Sequence, residues 1–116
     1  MSGSAFSTNV IVKAEEFSYS GTPKQFHKKS DSGRDLYNYF CGDCGCPLWG
    51  VGGFGDAKVV RVGVLDGEGL EQSKPMIECY SERRLTWIKA VDGAEGVVGM
   101  GDSQNVVEKA GEESKD

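Results

Sequence analysis

Three cysteines within six residues, Cys41-Gly-Asp-Cys44-Gly-Cys46, are the part of this sequence best suited to chemistry. Two intervening residues let a tight turn bring Cys41 and Cys44 side by side. The glycine after Cys44 lets backbone N–H groups turn toward the sulfurs, because glycine tolerates positive φ. Zinc accepts such thiolates at about 2.3 Å and takes four ligands in a structural site. One knuckle therefore supplies half of a site. A redox C-x-x-C pair is the first alternative, but such a pair normally opens a helix that lowers its thiol pKa. Here Pro47 and further glycines follow, and no helix is expected. Inert thiols are the second alternative. Cys46 and Cys79 are further candidate ligands. Cys46, two residues after Cys44, is aimed away from the same ion. Cys79 alternates with Ile77 on an expected strand, where a buried free cysteine is the simpler reading. His27, between Gln25 and Lys29 on a polar strand, reads as a surface residue.

The elements that position this turn read as short strands. Phe6 to Val12 alternates with a period of two. Gln25–Lys29 reads as a second, polar strand, and Leu36–Phe40, rich in aromatics, as a third. Leu36–Phe40 delivers Cys41. Lys58 to Leu65 is the clearest β run, and Pro75–Tyr80 is expected as another strand. Arg84–Ile88 is read as a last strand or one helical turn. Turn signals stand at Asp31–Arg34 and Asp66–Gly69. No long stretch has a helical period. The expected fold is mainly β and antiparallel. Six of the 17 glycines fall between Gly42 and Gly55, around the cysteines and Trp49. Trp49 and Phe54 could line a pocket beside the knuckle, although packing in a thin core is the simpler role. Lys24, Lys28, Lys29 and Arg34 against Asp31 form a local basic cluster that could hold a small anion, or serve as a solvated face.

Length and charge exclude several functions. The chain has 116 residues, a formal charge of −5 and four cysteines. An acidic domain argues against a general nucleic-acid binder. No apolar run approaches the roughly 20 residues that span a bilayer, so no membrane association is expected. The first residues show neither a basic segment nor a long apolar one, and no signal peptide is read there. A reducing, cytoplasmic setting follows, in which cysteines more often serve metal or redox chemistry than disulfides. The last sixteen residues carry five acidic residues and two lysines and lack aromatics. The reading is a folded domain over 1–98 and an acidic, disordered tail over 99–116.

The motifs form an ordered series: S-G-S-A-F-S-T-N-V-I-V, F-H-K-K-S-D-S-G-R, Y-F-C-G-D-C-G-C-P-L-W-G, V-G-V-L-D-G, a proline, and R-x-x-W. Over about residues 2–90 this series resembles the glutathione-dependent formaldehyde-activating enzyme (GFA) family, whose relatives include centromere protein V. The resemblance implies a tent-like, antiparallel β-fold around a zinc knuckle. It also implies carbon–sulfur lyase chemistry on a thiol adduct, with glutathione as the small-molecule partner and formaldehyde as the carbonyl. The family pattern uses seven cysteines, four on a structural zinc and three on an open one. Cys41 and Cys44 match structural ligands. The family's upstream C-x-C and C-x-C-x-x-C motifs have no counterpart, so the chain reads as truncated at its N-terminus relative to the pattern. Zinc would then be completed by Cys46, by Cys79, or by cysteines of a second chain in a homodimer. Three functions follow: a family-type lyase, a non-catalytic zinc-binding interaction module using the surface around Trp49, Phe54 and Lys28, and a thiol redox protein.

Overall fold

The computed structural model describes residues 3–101. The acidic tail lies, from residue 102 onward, outside the described residues. Five strands form one antiparallel sheet in the order β1-β5-β4-β3-β2. They are β1 (Asn9–Val12), β2 (Lys24–Lys29), β3 (Asp35–Phe40), β4 (Pro47–Gly52) and β5 (Gly55–Arg61). Two short strands, β6 (Ile77–Glu78) and β7 (Glu95–Gly96), pair in parallel apart from this sheet. An α-helical turn, α1, covers Gly69–Gln72. The protein is mainly β, as the alternation predicts.

Strand pairing decides which side chains share a face, because successive residues point to opposite sides. Tyr39 stands opposite Trp49, Trp49 opposite Val60, and Val60 opposite Val10. This row crosses four strands on one face. Phe17 and Tyr19, from the segment between β1 and β2, cover it. Their rings lie 5.0 Å and 4.7 Å from the Trp49 ring, and Tyr39 stacks on it at 4.9 Å. Such contacts add to the gain from area burial alone. The buried apolar residues are Trp49, Ala57, Val60 and Val62, and no side chain among the described residues is fully enclosed. The core is thin, and Trp49 is its only large member.

Several elements differ from the sequence reading. The strand expected from Phe6 begins only at Asn9, and Phe6 is exposed. The run from Lys58 to Leu65 leaves the sheet after Arg61 and turns through Val62–Val64, where the Leu65 N–H donates to the Val62 carbonyl at 3.0 Å. Pro75–Tyr80 contributes only Ile77 and Glu78. Arg84–Ile88 is a hydrogen-bonded turn, closed by the Ile88 N–H on the Leu85 carbonyl at 3.0 Å. Central strand β4 was missed because Pro47, Gly50 and Gly52 are poor strand formers. Cross-strand pairing outweighs that local preference, and Pro47 occupies the tolerated first position.

Gly52 is required by geometry. Its φ is 107°, and a Cβ there would stand 2.1 Å from the Asp35 carbonyl oxygen. The Asp31–Arg34 segment turns as expected, with the Gly33 N–H donating to the Ser30 carbonyl at 2.9 Å.

Glu78 organises the chain after the sheet. One carboxylate oxygen accepts from Arg84 Nε at 3.0 Å and Nη2 at 2.6 Å, and the other accepts from the Val91 N–H. The arginine of the R-x-x-W motif thus has a structural partner, whereas Trp87 is 72% exposed. The Val91 N–H and Arg84 hold the Glu78 carboxyl below its ordinary value of 4.5.

Two predictions follow from these contacts. Gly52→Ala combines left-handed strain with a backbone clash and should destabilise by at least about 2 kcal/mol. Gly63→Ala, which meets nothing within 4 Å, should stay within about 0.5 kcal/mol. Urea unfolding of both variants checks the contrast. A carboxyl with a lowered folded pKa adds stability above its unfolded pKa and loses it as pH falls through the folded value. The Glu78 contribution is therefore present above about pH 4.5 and lost below it. Glu78→Gln should lower Tm at neutral pH and flatten the Tm decline on the acid side. An unchanged acid limb would show that Glu78 does not carry it.

Candidate functional site

The turn between β3 and β4 carries the cysteines. Tyr39 pairs with Trp49 while Phe40 pairs with Pro47, and this register shift opens the end of the ladder. The Cys41 N–H donates to the Cys46 carbonyl at 2.9 Å, and the Gly45 N–H donates to the Cys41 carbonyl at 2.8 Å. Gly45 has a φ of 79°, so the turn needs the conformational freedom that glycine supplies there. The result is a closed loop seated on two strands that Trp49 and Tyr39 hold together.

All four cysteines are free thiols. Cys41 is half-buried, and Cys44 and Cys46 are exposed. The backbone N–H groups of Cys44 and Asp43, followed by the Cys44 thiol, hold the Cys41 thiol below its ordinary 9.0, against desolvation and the Asp43 charge. N–H groups turned toward sulfur stabilise a thiolate, whatever then binds it. The Cys46 thiol makes a weak contact with the Pro47 carbonyl at 3.5 Å. Cys79 lies just past β6, half-buried, with its sulfur 4.0 Å from the Met100 carbonyl oxygen. Burial pushes its thiol upward.

The turn brings Cys41 and Cys44 together. Among the described residues, no group of three or more His, Cys, Asp and Glu side chains gathers at metal-binding spacing. Neither Cys46 nor Cys79 joins the pair in such a group. The donor chemistry fits half of a tetrahedral thiolate site, and the described residues do not complete it.

The other candidates resolve as follows. His27 is exposed, bonds to Asp35 Oδ1 at 2.8 Å and stacks on Tyr37 at 4.9 Å. Asp35 also accepts from Lys29 at 3.0 Å, and His27 followed by Lys29 holds its carboxyl below the usual range. Arg34 donates to the Gly53 carbonyl at 3.2 Å. Lys24 lays its stem against Gly42, whose Cβ would stand 3.3 Å from the Lys24 side chain. Trp49 is 7% exposed and belongs to the core rather than to a pocket wall.

Sequence reasoning missed Arg61. It sits on the face opposite Trp49, donating to Asn9 Oδ1 at 2.8 Å and Asn38 Oδ1 at 3.2 Å. Burial pushes its guanidinium below its ordinary value. The available signal was a lone cation inside the apolar run Val59–Val62.

A two-cysteine turn at the end of a central hairpin in a mainly antiparallel sheet defines the class of this molecule. The chain belongs to the glutathione-dependent formaldehyde-activating enzyme family, whose model matches residues 1–83. Neither the curated proteins nor the solved structures yield a match. No helix among the described residues is long and apolar enough to cross a membrane.

The two thiol environments predict an order of reactivity. In chelator-treated protein at pH 7.5, iodoacetamide should modify Cys41 at least several-fold faster than Cys79, because the thiolate is the nucleophile. The difference should narrow as rising pH ionises Cys79 as well. Peptide mass spectrometry over a time course reads both rates, and faster labelling of Cys79 would contradict the environments described.

Proposed function

We propose that this protein works in the carbon–sulfur chemistry of its family, with glutathione as thiol and formaldehyde as carbonyl. The observation that carries this reading is the family match over residues 1–83. It coincides with an intact Cys41–Cys44 turn whose backbone N–H groups already face a sulfur. In the synthetic direction the thiol sulfur attacks the aldehyde carbon and a C–S bond forms. The carbonyl π pair moves to oxygen, which takes up the proton the thiol loses. The product is S-hydroxymethylglutathione, and the lyase direction reverses each step.

Zinc is the proposed metal, with Cys41 and Cys44 as two of its ligands. At this turn a zinc ion would cross-link the β3–β4 hairpin end, which suits a domain with a thin core. Cys41 and Cys44 would supply two of the four ligands that a structural zinc takes. The remaining ligands would come from elsewhere in the protein or from a second copy in a homodimer.

A thiol redox pair is the second reading. The lowered Cys41 thiol with the Cys44 thiol beside it favours that reading. Native mass spectrometry separates the two. Tight zinc, lost in Cys41→Ser and Cys44→Ser but kept in Cys79→Ser, supports the first. A metal-free chain that gains and loses two electrons reversibly supports the second. The activity itself is tested by incubation with glutathione and formaldehyde. Formation of S-hydroxymethylglutathione should exceed the uncatalysed rate at least tenfold (about 1.4 kcal/mol in barrier). No acceleration by zinc-supplemented protein would overturn the lyase reading.

A further inference from the structure

We propose that Arg61, together with Asn9 and Asn38, forms a carboxylate-binding site on the sheet face opposite Trp49. The site is built across four adjacent strands. Arg61 stands directly opposite Asn9 on β1, and it reaches Asn38 on β3 by crossing β4. Gly50 is the residue opposite Asn38, and a Cβ there would stand 3.2 Å from Asn38 Oδ1.

The chemistry of this arrangement is unbalanced in one direction. Guanidinium carries five N–H donors and no acceptor. Two N–H groups go to neutral carboxamide oxygens. Elsewhere His27 and Lys29 pair with Asp35, and Arg84 with Glu78. Among the described residues Arg61 has no carboxylate partner. A half-buried cation with only neutral partners has lost part of its hydration without gaining a counter-charge. A brace between β1 and β3 needs no net charge. One positive charge among neutral amides matches a monoanion, and the planar fork matches carboxylate geometry. Because Asn38 accepts through its oxygen, its amide group remains a donor beside the fork.

The local +3 cluster on β2 and the following turn is a weaker candidate for the same role. Lys29 is paired with Asp35, and Arg34 is bonded to a backbone carbonyl. Of these candidates among the described residues, Arg61 combines partial burial with fixed geometry and neutral partners.

The site stands on geometry alone. Its ligand, the carboxylate of a small thiol peptide, rests on the function proposed above. The probe is S-methylglutathione, which keeps both carboxylates and has no free thiol, so binding is read independently of any carbon–sulfur chemistry. The full chain, isotope-labelled, is titrated while the Arg61 Nε–H and the Asn9 and Asn38 side-chain amide signals are followed by NMR. S-methylglutathione should shift these signals saturably, and its diester should not. Arg61→Lys, which keeps the charge and loses the fork, should weaken binding about tenfold, and Arg61→Met should abolish it. If Arg61→Met fails to fold, the lysine variant and the wild-type titrations still decide. Equal binding of the diester, unmoved Arg61 and amide signals at saturation, or wild-type affinity in Arg61→Lys would overturn the site. Inorganic phosphate binding as tightly as the peptide would overturn its carboxylate preference. Saturable binding in a protein that fails to make S-hydroxymethylglutathione would leave the site standing and remove the lyase reading.

Discussion

The sheet depends on one buried indole. Trp49 sits in the middle strand, and rings from β3 and from the segment before β2 close around it within about five ångström. The other buried apolar residues are an alanine and two valines. A domain of this size buries a modest share of its surface, so the position of β4 is set by one side chain more than by a distributed core. The cysteine turn inherits its geometry from that anchor. Tyr39 and Trp49 are paired, and the turn begins two residues after one and ends three before the other. Anything that frees Trp49 would also free the spacing between Cys41 and Cys44.

The same strand is constrained in the opposite sense on its other residues. Where Trp49 needs bulk, Gly50 and Gly52 need none. At Gly50 a side chain would crowd the Asn38 amide oxygen that accepts from Arg61, and at Gly52 it would meet the Asp35 carbonyl. Glycine weakens a strand locally, so β4 survives because both its neighbours hold it. This strand therefore joins the two chemical features of the molecule, the thiol turn at its start and the guanidinium that reaches across it from β5 to Asn38.

Those compromises explain what the sequence made legible. The polar β2 and the aromatic-rich β3, with an ordinary turn signal between them, were readable to within one residue. The Cys41–Cys44 turn was readable because two cysteines separated by two residues restrict geometry strongly. β4 was not, since Pro47, Gly50 and Gly52 argue against a strand until their partners are known. The end of β5 was hidden for the opposite reason, because valines continue past Arg61 into the 3-10 turn Val62–Val64. Phe17 and Tyr19 carry no periodic signal, and their role appears only when they fold over Trp49. Asn9, Asn38 and Arg61 lie on three strands and share no local motif, so only the pairing register reveals them.

The cysteines show how far residue type alone can mislead. Cys41 and Cys79 are both half-buried thiols, and burial alone would raise both. They differ in what faces the sulfur. The Cys79 sulfur lies 4.0 Å from a carbonyl oxygen, which cannot stabilise a thiolate. At Cys41 the chain reverses within a few residues and turns two backbone N–H groups inward, which outweighs both burial and the Asp43 charge. Backbone direction, set by the Gly45 turn, therefore separates a thiol prepared for a cation or an electrophile from one that is merely packed. A count of four cysteines conceals that difference, and the turn geometry supplies it.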